Sequence, residues 1–180
     1  MDTNTARIAL QIDENLITGD AAGAVFSIDS MYRYRLWRRW ATGPRMLFVM
    51  LNPSTADAFK LDPTIRRCMG FARREGMGSL EVVNLFGWRS TDPKGLSDPE
   101  DPVGPDNDDQ VRLAMADAST VVAAYGQHQL RLRARTKAED RVLSIAASFG
   151  HDVQCLGQTK AGYPRHPLYV RGDTPLVALP

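Results

Sequence analysis

The chain has few cysteines and no long apolar run, and these two absences exclude several classes of protein. Cys68 and Cys155 are its only cysteines, too few for a disulfide framework or for the thiolates of a usual iron–sulfur or structural zinc site. They fall on the apolar side of a predicted helix and inside a predicted strand, which indicates buried core thiols. No run approaches the roughly 18 apolar residues that span a bilayer. The N-terminus also lacks the basic and apolar segments of a secretory signal, so we expect a cytoplasmic protein.

Common metal and phosphate motifs are missing as well. No pair of histidines has helical metal spacing, and there is no HExxH or CxxC. The stretch 92–109 is rich in carboxylates but lacks the order of a calcium-binding loop. GxGxxG, the P-loop and the GxSxG elbow are all absent. The sequence therefore predicts no metal and no cofactor, and it argues against a hydrolase of the GxSxG type.

The size and composition that are present indicate one globular domain. The chain has 180 residues, 43% of them apolar and 24% charged, which are values typical of a folded domain. We assign a single domain to 1–180, with a weakly patterned segment over 1–22 and a core over 23–170. The repeating order of strands and helices in that core predicts an α/β fold.

The predicted fold is a three-layer α/β/α arrangement around a mostly parallel, four-stranded central sheet. Continuous apolar runs predict buried strands, because both faces of a parallel sheet are covered. Alternating patterns near the N-terminus predict a β-hairpin on the edge of the sheet. The predicted strands are 46–51, 80–86, 120–125 and 152–157; the hairpin is 24–29 with 32–37; and the helices run from near Asp62 to Gly76, over 107–118 and over 129–148.

Polar residues follow each of the four predicted strands. The carboxyl ends of parallel strands meet at one edge of a sheet, and α/β folds place their ligand sites there. We therefore expect these polar groups to lie near one another. The clusters are Asn52-Pro53-Ser54, Asn84 with Gly87-Trp88-Arg89, Gly126-Gln127-His128, and Gln158-Thr159-Lys160 with the later Arg165-His166-Pro167.

Three of these side chains are the strongest candidates for binding or chemistry. Pro53 holds Asn52 extended, so that its amide would project in a fixed direction; the alternative is an Asx-type turn. Asn84 interrupts an apolar strand and needs partners or a ligand, unless the neighbouring backbone satisfies it. His166 lies between prolines and titrates near neutrality, although a structural role is the alternative. Phe86 and Trp88 would suit stacking on a flat ring or packing in the core.

Positive charge is clustered in this chain, although the formal net charge is only +1. Arginines are interleaved with aromatic residues between positions 32 and 45. We expect Arg33, Arg35 and Arg38 to contact nucleic acid, together with Arg165 from a later loop, because clustered arginines attract phosphates. A solvated strand face and a contact surface for another protein remain as alternatives.

The segments LNPSTAD (51–57), VVNLFGWRST (82–91) and RHP (165–167) together resemble domain-of-unknown-function family 1643, an uncharacterised bacterial family. The resemblance runs from about Tyr34 to Tyr169. Membership of this family implies no particular activity.

The layout is also distantly similar to the uracil-DNA glycosylase superfamily. Members have Asp or Asn before Pro at the end of one strand, an Asn that reads the base at the end of the next, and a late His-Pro motif. Asn52-Pro53, Asn84 and His166-Pro167 match these motifs. The chain departs from the pattern in having Met50-Leu51 where a glycine is usual and in lacking the second proline of the late motif.

This resemblance implies a uracil-DNA-glycosylase-like fold with a pocket for a nucleobase, a nucleotide or DNA. Asn84 would read the Watson–Crick edge of the base, Asn52 would hold a water for attack at the sugar C1′, and His166 would donate to the base oxygen. The expected activity is hydrolysis of an N-glycosidic bond. The alternatives are a non-catalytic nucleotide- or nucleic-acid-binding module and a protein-interaction domain. Further residues expected to bind the substrate are Pro53, Ser54, Phe59, Phe86, Trp88 and Arg89.

Overall fold

The structure, a computed structural model, describes residues 8–14, 20–97, 99–127 and 132–180. Within these residues it contains one mixed sheet of eight strands and three α-helices. Two short 3-10 turns cover Pro93–Ser97 and Pro167–Tyr169. The strands are β1 (Ile8–Glu14), β2 (Ala21–Ser27), β3 (Arg33–Arg39), β4 (Arg45–Met50), β5 (Ser79–Asn84), β6 (Thr120–Ala123), β7 (Gln154–Cys155) and β8 (Val177–Ala178); the helices are α1 (Pro63–Arg74), α2 (Asn107–Ala116) and α3 (Leu132–Ser148).

The strand order is β1-β2-β3-β5-β4-β6-β7-β8. The four strands predicted from apolar runs form its centre, and β5, β4, β6 and β7 are parallel to one another. The α/β class and the parallel core are therefore confirmed.

The sheet is wider than the predicted four strands. The predicted hairpin corresponds to β2 and β3, and β3 pairs antiparallel with β5 at the edge of the parallel strands, as expected. β1 adds a further antiparallel strand outside the hairpin. At the other edge, β8 pairs antiparallel with β7. Sequence analysis missed β8 because a two-residue strand carries no periodicity, and it missed β1 because 1–22 is weakly patterned.

The helices cover both faces of the sheet. Successive side chains of a strand point to opposite faces, so the apolar run of β4 contributes to two separate cores. One core joins Met46 and Phe48 to Ile65, Cys68 and Phe71 of α1; the other joins Leu47 and Val49 to Val111 and Met115 of α2 and to Val142 and Ile145 of α3.

In the part of the chain that the structure describes, no helix combines the length and apolar character needed to cross a membrane.

The start of α1 follows from its sequence. The side chain of Asp62 accepts a hydrogen bond from the backbone N–H of Ile65 at 2.8 Å, and Pro63 occupies the first helical position. Both features are typical of helix N-termini. The predicted start near Asp62 is therefore confirmed. Residues 129–131 of the third predicted helix lie outside the described residues.

The connections around β4 create a crevice. The chain leaves β4 toward α1 on one face, whereas the neighbouring strands β5 and β6 lead to α2 and α3 on the opposite face. Connections that diverge in this way open a space at the carboxyl ends of the strands. Asn52 follows β4 directly and Asn84 ends β5, so both lie at this point.

A bulge in β3 decides where Arg33 points. Val25 pairs with Arg35 and Phe26 with Arg33, so Tyr34 is an extra residue in the register with β2. Bulges of this kind redirect the side chains beside them. Arg33 therefore shares the α1 face with Phe26, and Arg35 faces the other way.

Candidate functional site

A cavity of about 310 Å³ lies at the carboxyl ends of β4 and β5, on the side of α1. We call it the central cavity. The strand ends, the start of α1, the segment after β5 and the turn at Pro167–Tyr169 all contribute to its wall. Asn52, Asn84 and His166, which come from three distant parts of the chain, line it together. Its other lining residues are Arg33, Met50, Leu51, Ser54, Asp62, Thr64, Ile65, Val82, Ser90, Thr91 and Tyr169.

The amide group of Asn52 has a defined orientation. Its Nδ2 donates hydrogen bonds to the carbonyl oxygens of Ser90 at 2.9 Å and Pro53 at 3.2 Å. Both partners are acceptors, so the nitrogen must face them and Oδ1 points elsewhere as an acceptor. In an Asx turn the side-chain oxygen accepts from the backbone, and no such bond to Asn52 exists among the described residues. The side chain therefore ties two loops together while presenting an acceptor.

Asn84 is the least accessible polar group of the central cavity. Its side chain is 1% exposed, and it lies beside Met50 in the register of β5 with β4. Its Nδ2 has no hydrogen-bond partner among the described residues. Leaving a buried donor unpaired costs about 1–3 kcal/mol. A ligand that supplies an acceptor atom would recover that cost.

The imidazole of His166 is oriented by its own turn. The backbone N–H of Leu168 donates to Nδ1 at 3.3 Å, so that His166 caps the 3-10 turn that follows it. A neutral ring with an accepting Nδ1 carries its proton on Nε2. The ring centroid lies 5.5 Å from that of Tyr169, whose side chain is 81% exposed. His166 is thus a donor through Nε2 beside an accessible aromatic ring.

Arg33 belongs to the central cavity, and its place there was not predicted. The residue is 3% exposed; its Nη1 donates to the carbonyl oxygen of Ala56, and its Nε has no partner among the described residues. Burial lowers its pKa to about 10, and the nearby carboxylate of Asp62 opposes that shift. The guanidinium therefore remains protonated at neutral pH. The sequence analysis expected Arg33 to contact nucleic-acid phosphates. The bulge at Tyr34 directs the side chain inward instead, and the sequence pattern does not show this bulge.

Asp62 is the second lining residue whose role sequence analysis missed. It was recognised only as the start of α1, and its Oδ1 does bond Ile65. Among the described residues that line the central cavity it is the only carboxylate. One carboxylate oxygen of Asp62 therefore caps the helix, and the other can accept a hydrogen bond or a proton from a ligand or a water in the cavity.

Three predicted contact residues lie away from the central cavity. Phe86 packs in the core on the α2 and α3 side, because β5 ends at Asn84 and the alternation of faces does not continue beyond it. Phe59 is 69% exposed and lines none of the described cavities. Trp88 packs edge-on against Tyr32, with ring centroids 5.4 Å apart. None of the three is placed to stack on a ring in the central cavity.

The remaining predicted contacts lie in or beside it. Ser54 lines the central cavity, whereas Pro53 is buried and does not line it. Ser54 and Arg89 also line an open depression next to it. Arg89 donates to the carbonyl oxygen of Ser30 at 3.0 Å, and its guanidinium lies 5.0 Å from the centre of the Phe26 ring.

Two of the predicted nucleic-acid contacts are engaged inside the protein. Arg35 pairs with the buried carboxylate of Glu81 at 2.5 Å. Arg38 is buried and donates to the carbonyl oxygens of Trp37 at 2.7 Å and Lys60 at 3.2 Å. Arg35 and Arg38 are therefore not part of a solvated strand face, whereas Arg39 and residues 41–44 of the same stretch are exposed.

A second cavity, of about 350 Å³, adjoins the first. We call it the basic cavity. It contains Arg165, the fourth predicted nucleic-acid contact, and it shares His166 and Tyr169 with the central cavity. His128, from the third polar cluster, lies outside the described residues. The basic cavity is lined by Gly126, Gln127, Thr159, Lys160, Arg165, His166 and Tyr169.

The described residues contain no group of three or more His, Cys, Asp or Glu side chains that could hold a metal ion. The polar groups of the two cavities are instead amides, hydroxyls, one imidazole, one carboxylate and three cations. Such groups bind organic ligands through hydrogen bonds and charge.

Fold and site together define an α/β protein with a polar cavity at the switch point of its parallel strands. Residues 33–168 match the family described as Protein of unknown function (DUF1643), and the chain belongs to that family. No curated protein matches the chain, and no solved structure matches it. The matched region includes Asn52, Asn84 and His166. The predicted family is thus confirmed, whereas similarity to the uracil-DNA glycosylase superfamily is not among these findings.

Proposed function

We propose that the protein binds a nucleobase in the central cavity, within a nucleotide or DNA, and hydrolyses its N-glycosidic bond. The observation that carries this proposal is the buried, unpartnered Nδ2 of Asn84 in a cavity that Asn52 and His166 also line. An amide at that depth recognises an in-plane acceptor, and the carbonyl oxygen of a base is such a group.

The composition of the wall supports a flat heterocyclic ligand. Apolar side chains of Met50, Ile65 and Val82 alternate with a few polar groups around a space of about 310 Å³, as in many small-molecule sites. Arg33 adds a second buried donor without a partner at Nε. A base with carbonyl oxygens would offer acceptors to both donors.

The reaction that suits these groups is attack of water at the sugar C1′. Asn52 would orient the water through Oδ1, and Asp62 would accept its proton, which an amide cannot do. The C1′–N bond would break with its electron pair moving onto the base. His166, through Nε2, and the cationic Arg33 would stabilise the negative charge on the base oxygen. The base then takes up a proton, so that base and sugar hemiacetal are the products.

We also propose a distant relationship to the uracil-DNA glycosylase superfamily. It is supported by the positions of the three matching motifs, which follow β4, end β5 and precede the late 3-10 turn. All three line one cavity. A base in duplex DNA would have to leave the stack to reach it.

Base release is the experiment that tests the proposal. A panel of oligonucleotides and free nucleotides with normal and modified bases is incubated with the protein, and released base is measured by chromatography. Asn52→Ala and His166→Ala should lower release at least about 100-fold while binding persists, as expected when positioned catalytic groups are removed. His151→Ala is the matched control, because His151 contacts the carbonyl oxygen of Met115 at 2.8 Å away from both cavities.

The outcomes separate the candidate functions. Binding without release of any base would favour the non-catalytic module. Binding and release that are unchanged in both variants would refute the assignment of the central cavity.

A further inference from the structure

The basic cavity has the charge of an anion site. Lys160 and Arg165 contribute two cations to its wall, and no carboxylate occurs among its described lining residues. Neither cation forms an ion pair within the described part of the chain. Thr159 adds a hydroxyl group to the same wall. Arginine, lysine and hydroxyl donors together are the usual partners of phosphate oxygens.

The loop that carries these groups is held in one conformation by its own hydrogen bonds. The backbone N–H of Thr159 donates to Tyr163 at 2.8 Å, and that of Arg165 donates to Gly157 at 2.9 Å. The Nε of Arg165 donates to the carbonyl oxygen of Gln158 at 2.9 Å. This last bond fixes the guanidinium through one edge and leaves the Nη groups for another acceptor. A preorganised loop binds a ligand at a lower entropic cost.

The two cavities adjoin at His166 and Tyr169, which line both of them. A ligand longer than the central cavity would pass these two rings to reach the basic cavity. In a nucleotide, the sugar likewise lies between the base and its phosphate. The exposed ring of Tyr169 lies at this junction.

We infer that the basic cavity is the phosphate subsite of the ligand whose base lies in the central cavity. The ligand is then a phosphorylated nucleoside, either a free nucleotide or a nucleotide within a strand, in preference to a free base or a nucleoside. This inference rests on the proposed function for the base and adds the part of the ligand that Lys160 and Arg165 bind.

The test compares the affinities of matched probes for the full chain. Calorimetry measures binding of the common nucleosides, their 5′-monophosphates and single-stranded trinucleotides to the wild type. It then measures binding to Lys160→Gln/Arg165→Gln and to the control Arg112→Gln/Arg171→Gln. Arg112 and Arg171 are exposed and line neither cavity, so the control loses the same charge elsewhere.

We expect the wild type and the control to bind the best nucleotide at least about 10-fold more tightly than its nucleoside. The cavity variant should lose most of that ratio while keeping its affinity for the nucleoside. Its dependence on salt should also fall, because phosphate contacts are screened by ions. A trinucleotide that binds more tightly than the monophosphate would identify a strand as the ligand, and the reverse would identify a free nucleotide.

Two results would overturn the inference. One is equal binding of nucleotide and nucleoside by the wild type, and the other is an unchanged ratio in the cavity variant. Thermal melting in the presence of inorganic phosphate distinguishes failure of this inference from failure of the proposed function, because phosphate binds without a base. If phosphate raises the melting temperature of the wild type and the control but not of the cavity variant, the subsite stands even where no base binds. If neither phosphate nor any nucleotide has an effect, the subsite is refuted.

Discussion

At the residue scale, the central cavity collects polar groups whose hydrogen bonds the protein itself leaves incomplete. Nδ2 of Asn84 and Nε of Arg33 are both buried, and neither has a partner among the described residues. Each unpaired buried donor costs about 1–3 kcal/mol. Their occurrence on one wall is what a ligand site requires, because the ligand supplies the missing acceptors and recovers part of that cost.

Asp62 offers a residue-scale prediction, because its capping and chemical roles are separable. Asp62→Asn keeps an oxygen for the N–H of Ile65 but removes the charge near Arg33, whereas Asp62→Ala removes both. We expect Asp62→Ala to lower the free energy of unfolding by about 1–2 kcal/mol and Asp62→Asn by less, as measured in urea. Both variants should lose base release while nucleotide binding persists. Release at the wild-type rate by Asp62→Asn would show that the carboxylate takes no part in the reaction.

The sequence predicts some residues of the central cavity and hides others for identifiable reasons. Asn52, Asn84 and His166 are predictable because polar residues at the ends of parallel strands converge at one edge. Arg33 is not, because a strand read by simple alternation gives no sign of the bulge at Tyr34. Asp62 is hidden by its own capping signal, which explains the residue completely without a ligand.

At the element scale, one buried carboxylate joins three adjacent strands. Glu81 in β5 is fully buried and pairs with Arg35 in β3 at 2.5 Å and with Arg45 in β4 at 2.8 Å. The antiparallel extension and the parallel core therefore share an ionic link in addition to their backbone hydrogen bonds. Such a carboxylate stabilises the fold only while its partners remain.

The corresponding prediction concerns Glu81→Gln. Removing the charge leaves Arg35 without a carboxylate and leaves Arg45 only its longer pair with Asp117 at 3.5 Å. We therefore expect unfolding in urea to cost about 2–4 kcal/mol less. Glu75→Gln is the control, because its pair with Arg74 at 2.7 Å is partly exposed and should contribute about 0–1 kcal/mol. Equal stability of the two variants would mean that the link between the strands contributes little.

Strands were predictable from the sequence where both of their faces are apolar, and helices where one stripe of their surface is apolar. The run from Met46 to Leu51 indicated β4, because a strand between two cores alternates between them without polar residues. The edges of the sheet gave weaker signals. In β1, Ile8, Leu10 and Ile12 are exposed, so its apolar residues do not mark a core. β8 is too short for any pattern.

At the scale of the whole molecule, two buried thiols affect how stability depends on pH. Cys68 in α1 and Cys155 in β7 are fully buried, and burial raises the pKa of both thiols. An unfolded thiol has a pKa of about 8.5. The unfolded chain therefore releases protons above that pH while the folded chain keeps them. The contribution of the two thiols to the free energy of unfolding is therefore fully present below about pH 8.5 and falls as the pH rises further.

We expect the free energy of unfolding to decrease between pH 8.5 and 10 by up to about 1.5 kcal/mol per thiol. Urea unfolding followed by circular dichroism at several pH values measures this decrease. The pH range ends at 10 because burial lowers the pKa of Arg33 to about 10. Above that pH, loss of the proton from Arg33 in the folded protein would increase stability.

The control is Cys68→Ala/Cys155→Ala. This variant loses stability through the space that it leaves, but its pH dependence should be flatter because it has no thiols to titrate. In the wild type, a thiol reagent should react only at urea concentrations that unfold the chain. Rapid reaction without urea, or the same pH slope in the double variant, would contradict the burial of these thiols.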